Sequence, residues 1–239
     1  MNIAIITAGG RGTRMGETNV PKQFLEVGQK PLIVHTVNHF QNNKNIDAII
    51  VVCVSGFIDY IKNLKDDYHL SKIVAIVPGG ATGQESIFNG IQKAYELYRD
   101  DENAIVLIHD SVRPLIDSAI IDANIQNVQQ NGTSVTVNSI SETVLQCADG
   151  VVQRVIERSS CFSGRAPQAF YLRDLYQCHL LAKKEGKLSF VDSSSLMSHY
   201  GYKLFTVEGP IENIKVTTPL DFDLVQGILK KKKKKKNQG

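Results

Sequence analysis

The chain opens with Ile3-Ala4-Ile5-Ile6-Thr7-Ala8 running straight into Gly9-Gly10-Arg11-Gly12, a buried-type strand whose carboxyl end must let something approach the backbone. Glycines there leave room and free the amides, and such N–H groups form an anion-binding concavity. Arg14 and Lys22 follow with full positive charges, which makes phosphate the natural guest. No Gly-Lys-Ser/Thr follows, as a Walker A loop would need, and the Gly9-Gly10-x-Gly12 spacing does not match the dinucleotide fingerprint. The pattern reads as a nucleoside triphosphate site of another kind.

Beyond this loop, apolar runs alternate with segments of helical period. Strands are expected at Ile3 to Thr7, Ala48 to Val54, Lys72 to Val77, Ala104 to Ile108, Thr133 to Val137 and Lys203 to Val207. Helices are expected at Pro31 to Gln41, Phe57 to Tyr68, Gln84 to Arg99, Asp117 to Asn131, Leu172 to Glu185, Ser193 to Tyr200 and Pro219 to Leu229. This rhythm describes a Rossmann-like α/β three-layer sandwich with a mostly parallel twisted sheet. Ligands bind such a sheet at the carboxyl ends of its strands. The Gly9 loop, the Gly79-Gly80 loop and the His109-Asp110 turn all follow strands, so three loops converge on one crevice. Between about 139 and 162 the pattern changes to two extended runs around Asp149-Gly150, a strong hairpin signal.

With 42% hydrophobic residues, residues 1–229 can bury one core as a single domain. The net charge is +3, but Lys230 to Lys236 carry seven positive charges, which leaves −4 for the rest. The basic balance therefore belongs to residues 230–239, a lysine-rich tail expected to be disordered. No interleaving of basic and aromatic residues marks a nucleic-acid surface. Cys53, Cys147, Cys161 and Cys178 show no metal or disulfide spacing. There is no basic leader before the first strand and no apolar stretch of the roughly 20 residues a membrane span needs, so a soluble, cytoplasmic protein is expected.

The Gly9 loop with Arg14-Met15 and Pro21-Lys22-Gln23 resembles the cytidylyltransferases of isoprenoid and polyol-phosphate metabolism. Pro78-Gly79-Gly80 through Ser86, His109-Asp110-Ser111-Val112-Arg113-Pro114, and Glu208-Gly209 through Asn213-Ile214-Lys215 extend the likeness over most of the chain, in the family's order. The resemblance implies attack of a phosphomonoester oxygen on the α-phosphorus of CTP, with Mg²⁺ as cofactor and pyrophosphate leaving. It implies that Arg14, Lys22 and Lys215 act on the phosphates. Ala8, Gly9, Gly10, Gly12, Gly79, Gly80, Ser86 and Ser111 would bind the nucleotide. Asp110, Arg113, Thr143 and Arg158 would bind the acceptor, the last two from the hairpin. That hairpin would be a protruding arm interlocking two subunits of a homodimer, against the plainer reading of an ordinary surface hairpin.

Asp110 suits Mg²⁺ as a hard oxygen ligand, but it could instead orient Arg113 or bind a substrate hydroxyl. His109 invites a general-base reading, although a phosphomonoester already largely dianionic near neutral pH needs no base. Two acceptors fit: ribitol 5-phosphate, giving CDP-ribitol for wall or capsule polymers, and methylerythritol 4-phosphate of the isoprenoid route. The wording around Arg14 and Lys22 leans to the first. Two positions depart from the family's usual residues: Ala81 follows the glycine pair, and Arg165-Ala166-Pro167-Gln168 stands where Gln/Leu-Thr-Pro-Gln is more usual. Sugar 1-phosphate nucleotidyltransferases and a non-catalytic nucleotide-binding protein are the rival readings.

Overall fold

In the computed structural model, residues 1–10 and 20–236 are described, with side chains to residue 232. Strand β1 (Asn2–Ala8) leads to β2 (Glu26–Val27), β3 (Lys30–Pro31), helix α1 (Leu32–Asn42), β4 (Ala48–Cys53), α2 (Ile58–Asp67), β5 (Ile73–Pro78), α3 (Gly83–Tyr98) and β6 (Ile105–Asp110). Then follow α4 (Ser118–Asn131), β7 (Thr133–Ser139), β8 (Val144–Ala148), β9 (Val151–Ile156), β10 (Phe162–Tyr171), α5 (Leu172–Lys184), α6 (Ser193–His199), β11 (Thr206–Glu208) and α7 (Pro219–Lys236).

Seven strands form one sheet in the order β11-β7-β10-β6-β1-β4-β5, parallel throughout except where β10 meets β6 and β7. The chain winds from β1 through β4 to β5, then returns to the other side of β1 to lay down β6. A crevice therefore opens at the carboxyl ends of β1 and β6, where Thr7 stands opposite Asp110.

The period of two along β1 sends Ala4, Ile6 and Ala8 to one face and Ile3 and Ile5 to the other. Val37 and Phe40 of α1, Ile61 of α2 and Ile121 of α4 cover the first face. Ile91 of α3, Leu175 of α5 and Leu196 of α6 cover the second. All six residues of β4 are buried, as an interior parallel strand demands. Helix α3 lies so close that a Cβ on Gly90 would stand 2.6 Å from Ile5 Cγ2. Each fully buried Leu, Ile or Phe stabilises by roughly 1.5–3 kcal/mol relative to exposure, so these two clusters hold the site's floor rigid.

Two of the longer elements differ from the sequence expectation. β10 lies in a stretch where no strand was expected, because Gly164 and Pro167 interrupt any alternation. Its register with β7 slips between Gly164 and Gln168, and that irregularity accommodates Pro167, which has no N–H for the ladder. The last helix also continues to Lys236, beyond residue 229 where the sequence reading ends it. Lysine is a good helix former, and an existing helix gains a hydrogen bond for each residue added. Salt screens the repulsion between exposed ammonium groups.

The hairpin turn has Asp149 at φ 51° and Gly150 at φ 77°, as a type I′ turn requires. β8 and β9 pair antiparallel as a two-stranded sheet of their own, and neither strand contains a buried residue.

Candidate active site

Asp110 ends β6, and its carboxylate is the hub of the crevice. Oδ2 accepts from Arg113 Nε at 2.8 Å, and Oδ1 accepts from Lys215 Nζ at 2.8 Å. Arg113, only 7% exposed, also donates through Nη1 to the carbonyl of Asn213 at 2.9 Å. Asn213 Nδ2 in turn donates to the carbonyl of Ala166 in β10 at 2.6 Å. The Val216 N–H donates to the Val112 carbonyl, and Val216 is buried with Val112, Leu115 and Val225. The segment that carries Lys215 is thus tied to the β6 turn, to β10 and to the final helix.

Burial alone would raise the pKa of Asp110, but Lys215 and then Arg113 outweigh it and hold the carboxyl well below the ordinary carboxylate range. Asp110 is therefore an anion whose two oxygens both hold cations. Lys215 keeps 42% of its side chain exposed even while its ammonium holds Asp110.

His109 faces the other way. It is 1% exposed, packs 5.2 Å from the Phe40 ring, and directs Nε2 at the Arg113 carbonyl, 3.3 Å away. Burial drives its pKa down to about 3, so the ring is neutral and Nε2 carries the proton toward that carbonyl. A ring enclosed in this way positions the turn and has no open face for a substrate.

The two glycine loops meet at the ends of β1 and β5. A Cβ on Gly79 would stand 3.4 Å from Gly9 Cα and 3.1 Å from Ser86 Oγ, so the two loops approach closely here and a side chain would crowd Ser86. Ser86 Oγ accepts from the Gly80 N–H at 3.0 Å and donates to the Thr82 carbonyl at 2.9 Å, fixing the turn ahead of α3. Gln23, 1% exposed, donates to the Ala8 carbonyl at 2.7 Å and anchors Pro21-Lys22-Gln23 against the end of β1. Phe24 stacks on Phe57 at 4.8 Å beside it. Ser111 is buried, with its N–H given to the Thr7 carbonyl and its own carbonyl taken by Thr36 Oγ1.

The fold thus gathers Ala8, Gly9, Gly79, Gly80, Ser86, Lys22, Asp110, Ser111, Arg113 and Lys215 along the carboxyl ends of β5, β1 and β6. Gly10 closes the described part of the first loop. Gly12 and Arg14 lie outside the described residues. Thr143 and Arg158 stand apart: both are exposed, and Arg158 Nη1 donates to the Ser141 carbonyl at 2.7 Å. Among the described residues no hydrogen bond or ion pair joins them to Asp110, Arg113 or Lys215. Sequence reasoning missed the anchoring roles of Gln23 and Asn213, whose signal is a polar side chain held in an otherwise apolar or glycine-proline context. Among the described residues, no cluster of three or more His, Cys, Asp or Glu could hold a metal ion unaided.

A crevice of paired glycine loops, with cations arranged around one carboxylate, is built for two phosphate-bearing substrates. The family model of 2-C-methyl-D-erythritol 4-phosphate cytidylyltransferase (IspD) matches residues 2–231. The chain belongs to this family. It is a cytidylyltransferase, a nucleotidyltransferase using CTP, as the resemblance of its motifs implied. The ribitol-5-phosphate cytidylyltransferase of Streptococcus agalactiae serotype Ia is 48% identical over 229 residues, covering 95% of each chain. The 2-C-methyl-D-erythritol 4-phosphate cytidylyltransferase of Clostridium novyi is 36% identical over 230 residues, covering 95% of this chain and 96% of its own. Among solved structures, the 4-diphosphocytidyl-2C-methyl-D-erythritol synthase of Anaerococcus prevotii superposes with a TM-score of 0.81 at 27% identity, covering 96% of each chain.

Proposed function

We propose that this cytidylyltransferase joins the cytidylyl group of CTP to ribitol 5-phosphate, yielding CDP-ribitol and pyrophosphate. The observation that carries the acceptor is the 48% identity, over 95% of both chains, to a relative named for ribitol 5-phosphate, against 36% to the one named for methylerythritol 4-phosphate. A phosphate oxygen of the acceptor attacks the α-phosphorus, and the bond from that phosphorus to the β-phosphate bridging oxygen breaks. Both reactants are anions, so catalysis consists of holding them in line and offsetting the charge that builds between them. The Gly9 and Gly79 loops take the nucleotide, with Ser86 and Ser111 bounding the base. Arg14 and Lys22 take the triphosphate, and Lys215 takes the α-phosphate. Asp110 and Arg113 face the acceptor beside Lys215.

A divalent cation such as Mg²⁺ would supply further charge at the phosphates, which themselves provide most of its usual ligands. The described residues fit such an ion only in part: Asp110 is the protein ligand on offer, and both of its oxygens already hold cations. Asp110 would ligate the metal in competition with Lys215. A second copy of the chain is the partner that suits the hairpin, because Leu145, Val151, Val155 and Phe162 are 47%, 59%, 65% and 53% exposed. In such a homodimer Thr143 and Arg158 would serve the neighbouring crevice. No described helix is long and apolar enough to cross a membrane, and we place the CTP-dependent reaction in the cytoplasm.

The test is pyrophosphate release from CTP, UTP, ATP or GTP with ribitol 5-phosphate, methylerythritol 4-phosphate or glucose 1-phosphate. Turnover with CTP and ribitol 5-phosphate at least tenfold above the other acceptors is expected. A preference for methylerythritol 4-phosphate would move the acceptor assignment to the other branch of the family.

A further inference from the structure

Arg165 holds a charge for which the arrangement above has no use. It lies in the irregular stretch of β10 between Gly164 and Gln168. Because β10 runs antiparallel to β6 with Gln168 opposite Ile108, residues 165 and 166 stand level with the carboxyl end of β6, where Asp110 lies. The next carbonyl, that of Ala166, is held by Asn213, and the Asn213 carbonyl is held by Arg113. Arg165 is half-buried there, and the Arg113 charge reaches it. Its Nε donates to Ser163 Oγ at 3.3 Å, and among the described residues no carboxylate forms an ion pair with it.

A guanidinium withdrawn from water toward another cation, with no anion beside it, is costly unless an anion comes to it. The charge count says which. Arg113, Lys215 and Arg165 bring three positive charges to this end of β6 and β10, and Asp110 brings one negative charge, which leaves an excess of two. A phosphomonoester carries close to two negative charges near pH 7. Position separates it from the triphosphate: the glycine loop follows β1, whereas β10 is the second strand away, roughly 10 Å across the sheet at about 4.8 Å per strand. The group that must sit on the β6 and β10 side is the acceptor.

We propose that Arg165 is an acceptor-binding residue, taking the phosphate of the polyol phosphate through its planar fork alongside Lys215. The inference rests on the acceptor-phosphate chemistry proposed above and adds to it a contact from the chain's own β10, distinct from the hairpin residues Thr143 and Arg158. An arginine suits the place because it donates two parallel hydrogen bonds to one phosphate, which a lysine cannot.

The experiment compares wild type, Arg165→Gln and Arg165→Lys in steady-state pyrophosphate release, varying CTP and ribitol 5-phosphate separately, with thermal melts to establish that each variant folds. Arg165→Gln should raise KM for ribitol 5-phosphate about 10- to 100-fold and leave KM for CTP within about twofold. Arg165→Lys should recover part of the loss. Stabilisation against heat by ribitol 5-phosphate alone should fall in the Gln variant, while stabilisation by CTP persists. An unchanged acceptor KM, or an equal rise in both KM values, overturns the assignment of Arg165 and leaves the proposed reaction standing. If wild type instead takes methylerythritol 4-phosphate, the acceptor reading fails, and the same comparison with that phosphate decides Arg165.

Discussion

Asn213 is the residue through which the geometry of the site can be tested most directly. It is fully buried, two residues before Lys215, with its side chain on the Ala166 carbonyl and its own carbonyl on Arg113. In Asn213→Ala the Ala166 carbonyl would be left buried without its donor, which costs about 1–3 kcal/mol. Asn213 Oδ1 already lacks a partner among the described residues, so removing it returns part of that cost. A net loss near 2 kcal/mol is expected in urea unfolding followed by circular dichroism. The catalytic effect should exceed what that loss of stability alone would cause. Lys215 would then lose the tie to β10 and keep the Asp110 ion pair, the Arg113 bond to the carbonyl of residue 213 and the Val216 to Val112 hydrogen bond, and a misplacement of roughly 1 Å can cost about 10²-fold in rate. We expect kcat in pyrophosphate release to fall about 10- to 100-fold, with KM for CTP within about threefold. Asn213→Asp keeps the shape but sets a carboxylate against the carbonyl, and should destabilise more than Ala. A folded Asn213→Ala enzyme with wild-type kcat would refute the idea that the tie to β10 positions Lys215.

Further predictions rest on other parts of the molecule. Lys215→Ala should lower kcat by about 10²- to 10³-fold, the equivalent of roughly 3–4 kcal/mol for one preorganised charge, with the thermal midpoint little changed; a rate within threefold of wild type would remove Lys215 from the chemistry. Burial lowers the pKa of His109 to about 3 and that of His179 to about 4, so both are neutral when folded but bind protons once unfolded below about pH 6.5. Their contribution is complete above that pH and fades as pH falls, by about 2 kcal/mol each at pH 5, so urea midpoints should drop clearly between pH 7.5 and pH 5. A flat profile would mean that these rings are hydrated. Val155→Asp on the exposed hairpin should shift the mass by light scattering from dimer to monomer and depress turnover, whereas an unchanged mass would leave the hairpin an ordinary surface feature. Deleting residues 230–239 should shorten the last helix without altering kcat, and a lost rate would give the lysine run a role in the site.

Much of this architecture is local in origin and was therefore readable. The apolar runs from Ala48 and from Ile105 are buried along the sheet interior, and Asp149-Gly150 is the kind of pair that a type I′ turn selects. The Gly28-Gln29 pair makes a similar positive-φ turn between β2 and β3, but strands of two residues leave no alternation to detect. β10 escaped for the opposite reason: ten residues long, it includes a glycine and a proline at an irregular stretch that only its two antiparallel neighbours make possible. The site divides along the same line. The glycine loops and the His109-Asp110 turn are short-range motifs, each legible where it stands. The ion pair of Asp110 with Lys215 spans 105 residues, and the bond from Asn213 to Ala166 spans 47, so nothing in either segment announces the other. The position of Lys215 comes from three pieces outside its own segment: the carboxylate at the end of β6, the β10 carbonyl that Asn213 grips, and the valine of the last helix that packs with Val216. None of those pieces shows in its own stretch of sequence that it meets the Lys215 segment. The phosphate loops are thus legible in the sequence, while the placement of Lys215 against Asp110 is a property of the folded sheet.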